Sequence, residues 1–166
     1  MQNNKAGTGV TFATPSDQEI VITCAFEAPR ELVFKAYTDP ALIPKWWGPR
    51  GFSTRVDKME VKRGGVWRFV QRGPDGKEYA FNGVFREVEP PERLVQTFEF
   101  EGMPDHVLLQ TVTFEDQGGK TKLTVTALFQ SMEDRDGMLK TGMEEGATET
   151  LDRLAELLET QKEGRL

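Results

Sequence analysis

Few residues in this sequence could perform acid–base, nucleophilic or metal chemistry. There is one histidine, His106, and one cysteine, Cys24. A metal centre of imidazoles or thiolates needs several such ligands, so we expect no metal site and no cofactor. Cys24 lies on the apolar side of a predicted strand, where a small buried thiol is the usual outcome. The sequence therefore predicts no catalytic residues.

The position of His106 leaves two interpretations open. It follows the turn at residues 102–105, and from a strand entry its imidazole could orient a ligand at the mouth of a cavity. It could equally be a surface residue that bonds Asp105 or a backbone group. An enzyme of any class would need acids and bases within reach of a substrate, and only His106, Tyr79 and scattered carboxylates are available.

The aromatic residues carry a stronger signal. Trp46 and Trp47 are adjacent on a predicted short helix, so they cannot both point into one core. We expect one indole to pack beneath the sheet and the other to line an opening or meet a partner. With aromatic, amide and small residues on the facing elements, they form a predicted ligand pocket: Trp46, Trp47, Trp67, Phe69, Phe81, Phe98, Gln110, Met138, Gly142, Met143, Gly146 and Ala147.

Composition limits the class of protein and the kind of partner. A chain of 166 residues fits one domain, which we place at residues 18–162 after a flexible leader at 1–17. Asp and Glu number 27 against 21 Lys and Arg, and this acidic balance disfavours nucleic acid as a partner. The polar start, the single cysteine and the lack of a membrane-length apolar run predict a cytoplasmic location.

Hydrophobic periodicity divides the chain into a strand, two short helices, a meander and a terminal helix. Glu19–Phe26 alternates with a period of two, as a half-buried strand does. Pro29 can open a helix to about Thr38, and Asp39 can cap a second one that Gly48 ends. Turns rich in Gly, Pro and Asp then separate six strand-like segments: Phe52–Lys62, Val66–Arg72, Lys77–Val88, Leu94–Phe100, Val107–Glu115 and Lys122–Phe129.

The same periodicity predicts which faces are buried. In the Lys77–Val88 strand we expect Phe81 and Phe85 to point inward and Gly83 to mark a bulge. The segment Asp134–Lys162 predicts one amphipathic helix of about 27 residues. Two glycines inside that helix would each cost roughly 1 kcal/mol relative to alanine, so they imply either close helix-to-sheet packing or room for a ligand.

Five motifs follow one another along the chain: FEAPRELVF at 26–34, WWGP at 46–49, GGVWRF at 64–69, PDG at 74–76 and PPERL at 90–94. In this order they resemble the bacterial activator of heat-shock-protein-90 ATPase homologue-like family, within the SRPBCC group of the START-like (Bet v 1-like) superfamily. The similarity runs from about Gln18 to Glu159. It implies an α+β helix-grip fold, in which a curved antiparallel sheet of about seven strands surrounds a long C-terminal helix, with two short helices after strand 1.

One departure from the family pattern bears on the pocket. Many relatives have Gly-Trp in the last helix where this chain has Gly146-Ala147. Loss of an indole that faces the sheet removes a large volume, so we expect a cavity of a few hundred Å³, the usual scale of small-molecule pockets.

Three functions are compatible with the resemblance. The first is non-catalytic binding of a hydrophobic or aromatic small molecule between sheet and helix, gated by the segment Trp46–Phe52 and oriented by Gln96, Gln110 or His106. The alternative is a protein-interaction module, such as an activator of a chaperone ATPase, and the third is an enzyme of the SRPBCC type.

Overall fold

In a computed structural model that describes residues 9–162, eight antiparallel strands form one sheet. The strands are β1 (Thr11–Ala13), β2 (Glu19–Phe26), β3 (Ser53–Met59), β4 (Val66–Arg72), β5 (Glu78–Glu89), β6 (Arg93–Phe100), β7 (Leu108–Gln117) and β8 (Lys120–Leu128). Neighbouring strands follow the order β1-β2-β8-β7-β6-β5-β4-β3, so β2 pairs with β8, the last strand of the meander, and β1 pairs with the other edge of β2.

All seven predicted strands are present, and the sheet has one strand more than expected. Strand β1 pairs with β2 from Thr11 opposite Thr23 to Ala13 opposite Val21. It lies within the predicted leader, of which residues 1–8 are outside the described residues. Three residues are too few to show a period in the sequence, yet they cover the free edge of β2, whose backbone groups would otherwise lack partners.

The two short helices follow β2, and the second is smaller than expected. Helix α1 spans Arg30–Thr38 and begins directly after Pro29, whose backbone is extended at ψ 151°. The predicted second helix is only a 3-10 turn, Ile43–Lys45. The chain leaves helical geometry at Trp46, with φ −142°, before it reaches Gly48 at φ 104°. Asp39 does not cap this turn as predicted: its Oδ1 accepts from the amide of Ala41 at 2.9 Å, whereas the N-cap of the turn is Leu42, without a side-chain cap.

The prediction of one uninterrupted terminal helix is wrong. The segment forms helix α2 (Met132–Leu139) and helix α3 (Met143–Lys162), with a break between them. Gly142 has φ 80°, a left-handed conformation that glycine adopts at little cost, and its carbonyl accepts from the amide of Gly146 at 3.2 Å. No helix within residues 9–162 is long and apolar enough to cross a membrane.

The C-terminal half of α3 closes the hydrophobic core. It buries a leucine stripe against the inner face of the sheet, and the exposed fractions are no more than 8% for Leu151, Leu154, Leu157 and Leu158. The same hydrophobic cluster includes residues of β2, β7 and β8, among them Ile20, Cys24, Val112, Phe114 and Leu123. Burial of such side chains is the main force that holds helix and sheet together.

Strand β5 has its irregularity at a different place from the one predicted. The register shifts between Phe85 and Glu87, and Gly83 itself pairs regularly with Trp67. A Cβ on Gly83 would lie 2.0 Å from the carbonyl oxygen of Thr97 and 2.5 Å from Nε1 of Trp67. Glycine is therefore required here for close approach. The expected inward side chains agree with the structure, since Phe85 is buried and Phe81 packs against the core.

The burial of Cys24 generates a prediction about its reactivity. Burial, and secondarily the negative charge of Asp152, raises the pKa of the thiol to about 12 from a reference value of 9.0. At pH 8 the thiolate fraction is then about a thousandfold lower in the folded than in the unfolded chain. We expect Ellman's reagent to leave the native protein unmodified at pH 8 and to react with one thiol after unfolding in guanidinium chloride. Rapid modification of the native protein would show that Cys24 is accessible.

Candidate ligand cavity

A cavity of about 580 Å³ lies between the inner face of the sheet and the α2–α3 segment. Its volume agrees with the expected few hundred Å³. All twelve residues of the predicted pocket line it, from Trp46 and Trp47 at one side to Met138, Gly142 and Ala147 at the other. The sequence therefore identified a set of side chains that the fold brings together, and their role in binding stays a prediction.

Aromatic rings in mutual contact form the wall on the sheet side. The ring centroids of Trp47 lie 5.0 Å from Phe69 and 5.4 Å from Phe81. The ring centroid of Trp67 lies 4.8 Å from that of Phe69 and 5.8 Å from that of Phe98. Side chains that hold one another in edge-to-face and tilted arrangements have little freedom to collapse into the space beside them.

The two adjacent tryptophans lie in different environments. Trp46 is 2% exposed, and its Nε1 donates to the carbonyl of Ala36 at 3.0 Å, so it anchors the 3-10 turn to α1. Trp47 is only partly buried and meets the aromatic wall. Both contribute to the cavity surface, but Trp47 belongs to the segment that covers it.

The helix side of the cavity is lined by small residues. A Cβ on Gly142 or Gly146 would meet no atom within 4 Å, so the space beside each glycine is open. Of the two explanations for these glycines, room beside the helix fits the structure and close helix-to-sheet packing does not. Thr141 and Gly142 are exposed and also line the cavity, which places an opening at the break between α2 and α3.

The lining is uncharged and contains a few polar groups. Among the described residues, no Asp, Glu, Lys, Arg or His side chain contributes to it. Three glutamines do, Gln71, Gln96 and Gln110, and sequence reasoning had missed Gln71. The signal was available, because Gln71 follows Trp67 and Phe69 at the alternate positions of β4 that face inward.

Tyr37 is a second lining residue that the sequence analysis did not select. It lies one helical turn after Val33 in α1, and its ring contacts Trp46 and Phe114. Burial, with a smaller effect of the nearby Cys24 thiolate charge, raises the pKa of the phenol above its usual range. The hydroxyl therefore stays neutral, as a hydrogen-bond donor or acceptor and not as an anion.

One buried donor in the wall has no partner within the described part of the chain. This is Nε1 of Trp67, which lies against Gly83. An unsatisfied buried N–H costs roughly 1–3 kcal/mol, so the ring position must be stabilised by its apolar contacts. The aromatic wall provides those contacts.

The segment Trp46–Phe52 covers the cavity, and two arginines bind this cover to α3. Arg153 donates from Nη1 to the carbonyl of Gly48 at 2.8 Å and from Nη2 to that of Lys45 at 3.3 Å. Burial and the adjacent Arg50 lower the pKa of Arg153. Arg50 in turn binds Glu156 through Nη2 at 2.6 Å, and its backbone amide donates to Glu149 at 3.1 Å. The cover is thus attached to the helix that forms the opposite wall.

His106 is not among the cavity residues. Its Nδ1 lies 3.0 Å from Oδ1 of Asp134, so it joins the β6–β7 turn to the first turn of α2 at the surface. The partner is Asp134 and not the neighbouring Asp105. Tyr79 likewise lies outside the lining and contacts Phe52 and Phe100. Within residues 9–162, no group of three or more His, Cys, Asp or Glu is arranged to hold a metal ion.

Solved structures from several bacteria have the same fold. A protein from Mycobacterium smegmatis, Ms6760, is 28% identical, with a TM-score of 0.81 over 90% of this chain and 96% of that one. A Rhodobacter sphaeroides protein is 27% identical, with a TM-score of 0.83, and the match covers 90% of this chain and 98% of that one. A protein from Arthrobacter aurescens is 26% identical, with a TM-score of 0.84, and the match covers 90% of this chain and 91% of that one. No curated protein matches the chain significantly.

The family comparison agrees with the motif series. The family model described as "Activator of Hsp90 ATPase homolog 1-like protein" matches residues 27–159, which include α1, most of α3 and all cavity-lining residues except Ile20 and Ile22 of β2. The match covers most of the chain, and the chain therefore belongs to the Activator of Hsp90 ATPase homolog 1-like family.

Proposed function

We propose that this protein binds an apolar or aromatic small molecule, without catalysis, in the cavity between the sheet and α3. The observation that carries the proposal is a cavity of about 580 Å³ with an aromatic wall and no charged lining side chain among the described residues. Small-molecule sites commonly have volumes of about 300–1,000 Å³ and predominantly apolar walls.

The energetics of such a site favour apolar ligands. Each Å² of apolar surface removed from water contributes about 25 cal/mol, so a molecule enclosed by the rings of Trp47, Phe69, Phe81 and Phe98 gains affinity without charged contacts. The rings are already in contact with one another, so little ordering of the wall accompanies binding. This arrangement fits a preformed receptor.

Two routes can admit the ligand. One is the opening at Thr141 and Gly142, and the other requires movement of the segment Trp46–Phe52. The second route would break the bond of Arg153 to Gly48 and the bonds of Arg50, itself in the cover, to Glu149 and Glu156 of α3. These contacts are polar and partly exposed, so their rupture costs far less than the opening of the leucine-packed end of α3.

Filling the cavity from the helix side tests the proposal. In Ala147→Trp, an indole would occupy the space beside α3, and we expect affinity for the neutral fluorescent probe Nile red to fall at least about tenfold. The matched control is Glu145→Trp, which places the same indole on the exposed side of α3. Fluorescence titration and native mass spectrometry measure the binding. Equal affinity in wild type and Ala147→Trp, or no binding to the wild type, would contradict the proposal.

Release of the cover gives a kinetic prediction. Arg153→Gln removes the bonds to Gly48 and Lys45, so we expect Nile red to enter and leave several-fold faster, with a much smaller change in the dissociation constant. Stopped-flow fluorescence measures both rates, and Arg86→Gln, at an exposed position on β5, is the control. Unchanged rates in Arg153→Gln would show that the cover does not control access.

A second candidate is interaction with a chaperone, which the family description favours. In this case the acidic exterior would meet a basic surface of the partner. An ATPase assay of an Hsp90 from the source organism, with and without an excess of this protein, separates the candidates. Stimulation that survives in Ala147→Trp would support a surface role independent of the cavity.

A further inference from the structure

The polar groups of the cavity indicate what kind of ligand it accepts, provided that the proposed function holds. The amide of Gln71 belongs to a side chain that is only 7% exposed and that lines the cavity. It forms no hydrogen bond with any other residue in the described range 9–162. Its amide atoms are not among the fully buried unpaired atoms, so a molecule in the cavity can reach them and exchange hydrogen bonds with them.

Two more amides lie further along the sheet. Gln96 on β6 and Gln110 on β7 are direct cross-strand partners, so their side chains are neighbours on the inner face. Both line the cavity, and neither has a side-chain hydrogen bond within the part of the chain that the structure describes. Each amide offers donors and an acceptor, so the pair can satisfy either a hydroxyl or a carbonyl.

The register of the strands separates these groups along the cavity. Gln96 lies opposite Phe85 of β5, whereas Gln71 lies opposite Tyr79, six positions earlier on the same strand. Six residues correspond to about 20 Å along a strand. The aromatic wall, which includes Phe69, Phe81 and Phe98, lies between the two ends.

The cavity lining also limits the charge that a ligand can carry. No ionised side chain among the described residues lines the cavity, so nothing there would compensate the desolvation of a carboxylate, phosphate or ammonium group. Neutral amides at both ends can still satisfy neutral polar groups.

We infer that the cavity selects uncharged, elongated aromatic molecules that carry a hydroxyl or carbonyl group at an end, where Gln71 or the Gln96–Gln110 pair binds it. Charged analogues of the same shape are rejected. The amides thus determine specificity, and the rings supply most of the affinity.

Four probes with a common body test this inference by isothermal titration calorimetry: biphenyl, 4-hydroxybiphenyl, 4,4′-dihydroxybiphenyl and biphenyl-4-carboxylate. For the wild type we expect the hydroxylated probes to bind at least as tightly as biphenyl and the carboxylate at least tenfold more weakly than 4-hydroxybiphenyl. A carboxylate that binds as well as the phenol would overturn the inference. This part of the test needs no variant.

Glutamine-to-leucine variants locate the polar contacts. We expect Gln71→Leu or the double variant Gln96→Leu/Gln110→Leu to lower the affinity for 4,4′-dihydroxybiphenyl about tenfold. The affinity for biphenyl should stay unchanged or rise. Gln117→Leu, at an exposed position of β7, is the control and should bind all probes as the wild type does.

Different binding results would overturn the inference and the proposed function. If biphenyl binds and the variants shift all probes equally, the amides do not select the ligand and only the inference is overturned. If none of the four probes binds the wild type, the proposed function fails for aromatic molecules of this size and the inference fails with it.

Discussion

The cavity depends on how unevenly α3 packs against the sheet. The C-terminal half of the helix buries Leu151, Leu154, Leu157 and Leu158 and fixes its distance from the strands. The N-terminal half presents Gly146 and Ala147, which line the cavity and are too small to fill the space beside the helix. Protein interiors otherwise approach the packing density of organic crystals. The same helix thus stabilises the core at one end and leaves space at the other.

Much of the architecture could be predicted because strand signals are local. The alternation in Glu19–Phe26 and the turns on either side of Val66–Arg72 predicted the bounds of these two strands as they are in the structure. The break between α2 and α3 was missed because Met138, Leu139 and Met143 keep a helical spacing across it. Only the backbone of Gly142, with its positive φ, shows the interruption. Strand β1 was missed because its stability comes from pairing with β2 and not from its own three residues.

The candidate site could be predicted in its apolar part and less well in its polar part. Large aromatic side chains in a small domain pack into its interior, so Trp67, Phe69 and Phe98 were placed in the predicted pocket because they are aromatic residues of predicted strands. Gln71 follows Trp67 and Phe69 at the next inward position of β4, so its place could have been predicted from the alternation, although its residue type does not indicate a pocket. His106 was the more conspicuous residue, and its contact with Asp134 depends on how α2 docks against the β6–β7 turn. Such long-range docking is not encoded in local patterns.

The most direct test of the account is a crystal structure determined under xenon pressure, because xenon enters apolar cavities and is visible through its scattering. We expect xenon beside Gly146 and the ring of Phe98 in the wild type, and no xenon there in Ala147→Trp. A wild-type structure in which protein side chains fill the space between β6 and α3, with no xenon bound, would contradict it.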